Sequence, residues 1–294
     1  MKSAWPISRR MVVPPIISDS TKQTSIRVAA SRLTRALCCL KQMPTELESW
    51  ERQHFTDGGG EPFLFYVVFG NVDASASLSR SKYRCDGMVD GIDIMTYGPT
   101  ANPEVPSSFL EGYLWEQVQT DDPDLAKAIT ECEHCMVFRG APADDSTLDY
   151  LRDTVGFITF ALENGGCAVY DPFMLKWWNP SDWKNTIFEP AGAVPRNHTV
   201  ILASEDDEPE TTWFHTRGMR KFGRPDISVR NVTTENENAV VDLCNRLIEQ
   251  QAFGHVVPDG QEIRMDALPN GGSIHHAGTL DDPDFNNVHL IVTL

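Results

Sequence analysis

At 294 residues, with 42 acidic against 25 basic side chains, the chain suits one large domain or two ordinary ones and carries a formal charge of −17. Its longest apolar run, Phe63–Phe69, is strand-sized and well short of the roughly 18 residues that span a bilayer, so no transmembrane segment is expected. Seven cysteines, an odd number with no secretory h-region near Met1, argue against a disulfide framework.

Charge is unevenly placed. Residues 1–42 hold eight basic side chains and one acid, leaving 17 basic against 41 acidic groups in the rest. A body of that sign repels phosphate backbones, which excludes general nucleic-acid binding and suits a basic protein partner or a well-solvated surface. In the tail, Ile26, Ala30, Leu33, Leu37 and Leu40 fall on one helical stripe with Arg27, Arg32 and Arg35 off it. That composition reads as an organelle-targeting or membrane-surface helix, as a disordered tail or mis-assigned start ahead of Met43, or as an ordered helix packed on the body. The expected location is cytoplasmic, or an organelle if residues 1–42 address the chain there.

In chain order the pattern then predicts a short helix over Glu46–His54, the Gly58–Gly60 loop and a strand over Pro62–Phe69. Weak strands follow near Tyr83–Met88 and Ile92–Tyr97, then a helix over Ser107–Gln119. Asp122-Pro123 supplies an N-cap and a proline at N1 for a helix to about Glu131. Cys132-Glu-His-Cys135 has the spacing of half a zinc site; a second pair is missing, and a helix end running into the strand Cys135–Arg139 is the preferred reading. Ser146 and Asp149 resemble a capping box, Leu148, Leu151, Val155, Ile158 and Leu162 make a helical stripe, and Gly165-Gly166 stops it before the strand Cys167–Asp171. The same grammar returns in a strand over Ile227–Val232, a capping box at Thr234 and Glu237, a helix through Val240, Leu243 and Leu247 to Gly254, and strands at Gln261–Met265 and His289–Leu294.

The expected fold is α+β, with mixed or antiparallel sheets, helices packed on one face, and room for two similar α/β subdomains. The organisation reads as a basic tail (1–42), an N-terminal α+β region (43–131) and a C-terminal α+β domain (132–294).

The segment Trp213–Asp226 concentrates Gly218, Gly223, Pro225 and four basic residues, and reads as a shaped connection into the strand after it. His215, Thr216, Arg217, Arg220, Lys221 and Arg224 are candidates for holding an anion or an acidic partner loop, or for pairing with the protein's own carboxylates. After Asp171, the aromatic residues Phe173, Trp177, Trp178 and Trp183 are dense enough for a core or for a partner hot spot. Trp177 and Trp178 are adjacent and cannot face one core, which places one of them at an edge or interface. The candidate binding set is therefore His215, Thr216, Arg217, Arg220, Lys221, Arg224, Trp177, Trp178, Trp183 and Asp171.

His215-Thr-Arg-Gly218-Met219 followed by Gly223-Arg-Pro-Asp226, with the upstream Gly165-Gly166…Val169-Tyr-Asp171, resembles a group of bacterial domains of unknown function over about residues 132–294. Such domains occur near toxin–immunity or stress loci, and the resemblance implies an immunity-like binding role with no catalytic residue to transfer.

The leading reading is thus a non-enzymatic protein-binding module that needs no cofactor. It predicts that Trp178→Ala or Arg220→Glu weakens binding and leaves melting nearly unchanged. The alternative is a metal-dependent hydrolase built on His215, His275, His276 and Asp282. A homo-oligomer closed by an exposed tryptophan is the third.

Overall fold

The computed structural model describes residues 47–73 and 75–294. The basic tail, its helical stripe and the first residue of the helix expected from Glu46 lie outside the described residues.

The fold is α+β, built on two sheets. The first contains β1 (Leu64–Gly70), β2 (Ile92–Tyr97), β3 (Cys135–Gly140), β4 (Gly166–Asp171) and β5 (Lys176–Trp178). Their order is β2-β3-β1-β4-β5, antiparallel throughout. β1 is central, and all seven of its residues are buried. Phe65, Val67 and Phe69 face α3 (Tyr113–Asp121) and α4 (Pro123–Thr130), whose Trp115, Val118, Leu125 and Ile129 complete that layer. Leu64, Tyr66 and Val68 face α5 (Asp149–Glu163) through Leu151, Val155 and Ile158. A strand covered on both sides needs no alternation, which is why its sequence is one apolar run. The division expected at 131/132 runs through this sheet, because β3 sits between β1 and β2.

Two short helices, α1 (Arg80–Tyr83) and α2 (Glu104–Ser108), flank β2 in sequence. α1 and the turn after it replace the weak strand expected at Tyr83–Met88: Ser79 caps Lys82 N, and Arg84 ends the turn in the left-handed region. The helix expected over Ser107–Gln119 is two helices, separated at Gly112, whose φ of +78° no continuous helix contains. Asp122 caps α4 by accepting from Leu125 N at 3.0 Å, with Pro123 in its first turn, as the sequence suggested. Residues 47–54 are not helical: they run without regular structure through an isolated bridge of Glu51 with Thr147 into a turn at 53–54. Asp149 accepts from Trp50 N and Ser49 Oγ, and Leu148 N donates to Trp50 O, so the segment docks on the first turn of α5. The same contacts occupy the carboxylate assigned to the capping box with Ser146.

The short helix α6 (Pro180–Trp183) leads on to the second sheet. It comprises β6 (Val200–Glu205), β7 (Thr211–Arg217), β8 (Asp226–Thr233), β9 (Gln261–Met265), β10 (Leu268–Ala277) and β11 (His289–Thr293). The order is β6-β7-β8-β11-β10-β9, with β8 and β11 parallel and the other neighbours antiparallel. α7 (Glu237–Ala252) covers one face: Val240, Leu243, Cys244, Leu247 and Ile248 meet Phe214, Ile227, Val229 and Leu290. That layer is continuous with the α5 side of the first sheet, so the two sheets share a core. Helices thus lie on both faces of the first sheet and on one face of the second. Glu237 accepts from Thr212 Oγ1 and not from a Thr234 capping box. No helix among the described residues is long and apolar enough to cross a membrane.

Candidate functional site

The segment Trp213–Asp226 divides in two. Its first half, through Arg217, is β7, a strand where a connection was expected. Its second half is a 3-10 turn, Met219–Phe222, flanked by Gly218 and Gly223 in the left-handed region. This turn is the seam between the sheets. Gly60 N donates to Gly223 O at 2.9 Å and Phe63 N to Arg220 O at 3.0 Å. A Cβ at Gly223 would lie 2.2 Å from Gly60 O, so the close approach as well as the φ of +64° requires glycine.

The seam consumes most of the expected anion cluster. Lys221 is wholly buried, ion-paired to Asp171 and donating to His198 O at 3.0 Å. Burial pushes the Asp171 carboxyl up and the Lys221 ammonium down, and each charge opposes the other's shift. Asp171 also accepts from Phe173 N and Met174 N. Arg224 pairs with Asp144 at 3.0 Å and donates to Gly254 O, while Arg52 meets the other oxygen of Asp144. Thr216 Oγ1 donates to Asp226, which also accepts from Met219 N and Asn287 Nδ2. Burial drives the Asp226 carboxyl up to about 6, against these donors and Arg217. Arg220 is half-buried; its Nη1 donates to Asn286 O at 2.8 Å and its guanidinium lies 4.9 Å from the Phe63 ring centre. Four of the six basic or hydroxyl candidates therefore bind the protein to itself, through its own carboxylates and carbonyls.

The aromatic set is likewise internal. Trp177 and Trp178 do point to opposite faces of β5, but both faces are covered. Trp177 stacks on Tyr170 at 4.5 Å and packs beside Trp115 and Phe69 under α3. Trp178, 2% exposed, meets Trp183 at 6.2 Å on the α5 side, and Trp183 donates to Thr159 Oγ1. None of the three tryptophans presents a surface to a partner.

His215 and Arg217 are different. Along β7 the side chains alternate: Phe214 and Thr216 turn inward, and Trp213, His215 and Arg217 turn to the face opposite α7. Strand register extends that face into rows. His215 stands opposite Ser228, Ser228 opposite Ile291, and Ile291 opposite His275; Asp226 stands opposite His289. The arm 278–288 folds over the upper rows. Asp282 accepts from Asp284 N and Phe285 N to shape its turn, and Asn287 and Arg220 anchor it to the seam. Phe285 stacks on His289 at 4.1 Å and meets Trp213 and His215 edge-on, while Trp213 stacks on His215 at 4.0 Å. Arg230 lies 4.2 Å from the Trp213 ring centre and pairs with Asp206. Below the arm opens a cleft of about 420 Å³, bounded by Trp213, Arg230, Phe285, His289, Ile291 and Leu294.

The electrostatics around His215 oppose proton transfer by that ring. Burial, then Arg217 and Arg230, pull the His215 imidazole down to about 4. A base that weak is poorly matched to neutral pH. Among the described residues its Nδ1 has no hydrogen-bond partner and no carboxylate orients the ring, and Ser228 Oγ accepts from the Trp213 indole at 2.9 Å. Burial pulls the Arg217 guanidinium down, with Asp226, Asp284 and Asp282 opposing.

The His215 shift has a measurable sign. A base whose folded value lies below its unfolded one contributes stability that is present above about pH 6.5 and is lost as pH falls through 4. Between pH 6.5 and 4.5 the wild type should therefore lose on the order of 2 kcal/mol more stability than His215→Phe, read from urea denaturation at both pH values.

The four residues of the metal alternative are not brought together. His275 stands three strands from His215 on the same face, about 14 Å at the usual strand spacing. His276 is on the opposite side of β10, with Nε2 at 2.8 Å from Val257 O, and Asp282 lies by His289. No three His, Cys, Asp or Glu side chains among the described residues are grouped as metal ligands.

Trp213, Ser228, Arg230, Phe285 and Ile291 were not singled out from the sequence as site residues. The signal for the first lay in the alternation of Thr-Trp-Phe-His-Thr-Arg, hidden by reading the segment as a loop. The arm carries no sequence signal that it returns to cover β7. No family model, no curated protein and no solved structure matches this chain.

Proposed function

We propose that the chain is a non-catalytic protein-binding module whose contact surface is the outer face of the second sheet. One observation carries the reading: the cleft on that face gathers Trp213, Arg230 and Phe285 around the exposed Ile291 and Leu294. Tryptophan and arginine are enriched among residues that dominate binding energy, and a cleft of mixed polar and apolar lining accepts a protruding side chain and the polar groups beside it. Asp282 and Asp284 on its rim, on a body with 41 acids to 17 basic groups, favour a partner with basic residues around that side chain. The weak imidazole and the engaged Ser228 hydroxyl favour binding over acyl transfer. The immunity-like role rests on the resemblance alone, and its marker residues, His215–Met219 and Gly223–Asp226, are mostly spent on the seam.

The test places a photoreactive amino acid at Ile291 and, as a control, at Lys127 on α4. Capture of one protein species from Ile291 only is the expected result. With that protein in hand, Ile291→Asp should weaken binding at least about tenfold while melting stays within the small range of surface substitutions. Capture from neither position, or equally from both, would sink the proposal.

A further inference from the structure

Cys132 and Cys167 come together from different elements. Cys132 follows the last turn of α4, where its N–H donates to Ile129 O at 3.0 Å; Cys167 lies on β4. Their sulfurs are 3.0 Å apart, about 1 Å longer than a disulfide bond, across 35 residues of chain. Both residues are half-buried, whereas Cys135 is fully enclosed. The Cys-x-x-Cys spacing would instead pair Cys132 with Cys135, but Cys135 is wholly buried on β3 in the layer under α3 and α4, and burial pushes its thiol up to about 12.

We propose that Cys132 and Cys167 are a reversible redox pair, converted to an intramolecular disulfide by exchange with a small disulfide of the glutathione class. Burial, and then the neighbouring Cys132 sulfur, hold the Cys167 thiol above its ordinary value, which suits Cys167 to the second, resolving step. The Cys132 thiolate attacks one sulfur of oxidised glutathione; the glutathione S–S bond breaks and one glutathione leaves as thiolate. Cys167, on losing its proton, then attacks Cys132 sulfur in the mixed disulfide and expels the second glutathione. Two protein thiols are oxidised by two electrons and one glutathione disulfide is reduced to two glutathione thiols. The new bond fastens the end of α4 to β4, and it restricts the unfolded chain more than the folded one.

The experiment incubates the full-length chain with oxidised glutathione, blocks free thiols, and maps linked peptides after cleavage on the C-terminal side of glutamate. Cleavage after Glu133 separates Cys132 from Cys135, so the two linkages are distinguishable. The expected product is a Cys132–Cys167 linked pair that reduced glutathione reverses and that melts several degrees above the reduced chain. In Cys167→Ser, Cys132 should keep its glutathione, because the resolving thiol is gone. A Cys132–Cys135 link, glutathione retained on Cys132 of the wild type, or free thiols at both positions would each overturn the assignment. The wild-type map alone decides these outcomes, so the test survives a variant that folds poorly.

Discussion

Lys221→Met should destabilise the protein by about 3–5 kcal/mol, the cost typical of leaving a buried charge without its partner. Among the described residues, Asp171, 2% exposed, would keep only the Phe173 and Met174 amides as donors. His198 O would lose the same ammonium. Urea denaturation at pH 7 measures the loss, and the double variant Lys221→Met, Asp171→Leu should recover much of it, because two apolar side chains leave no orphaned charge. Equal stability of Lys221→Met and the wild type would show that the pair contributes nothing to joining the sheets. A double variant no better than the single would assign the effect to packing around Tyr66, whose ring centre lies 5.2 Å from the ammonium.

Trp178→Ala should cost about 3–5 kcal/mol, which for a chain of this size lowers melting by on the order of 10 °C. The indole fills the layer beneath α5 and packs against Trp183, which in turn meets Tyr66 at 5.8 Å. The expectation from the sequence was the opposite, a weakened partner and unchanged melting. A thermal scan with the exposed Ile291→Asp as reference separates the two: a melting loss confined to Trp178→Ala identifies it as core.

The contrast marks where the sequence is legible. Residues 149–163 and 237–252 carry apolar stripes of helical period with a glycine stop, and both are helices within a residue or two of expectation. Asp122-Pro123 and the strand after Gly165 are equally local signals, and both hold. Trp177-Trp178 fails because alternation shows that two neighbours face apart; whether each side is covered depends on how α3 and α5 pack on the sheet, which the pattern of β5 does not carry. The basic run Arg217–Arg224 fails as a surface for the same reason. Its carboxylate partners, Asp144 and Asp171, lie far upstream, and nothing near Lys221 announces them. Within the candidate site, His215 and Arg217 were visible as residue types. The cleft beside them was not, because Phe285 and His289 reach it by a long return of the chain.

The parallel pairing of β8 with β11 also orders assembly. β9 and β10 precede β11 in the chain, yet in the sheet β11 separates them from β8. The β9–β10 hairpin can form by local collapse, and so can β6–β7–β8, but each would present an unpaired edge until the strand between them arrives. Contact order is therefore high at this junction, and closure waits on a long-range loop. The fold makes the last strand of the sheet to be synthesised the one that joins its halves. An interval in which two sticky edges await one insert is where chaperone engagement and mispairing should concentrate.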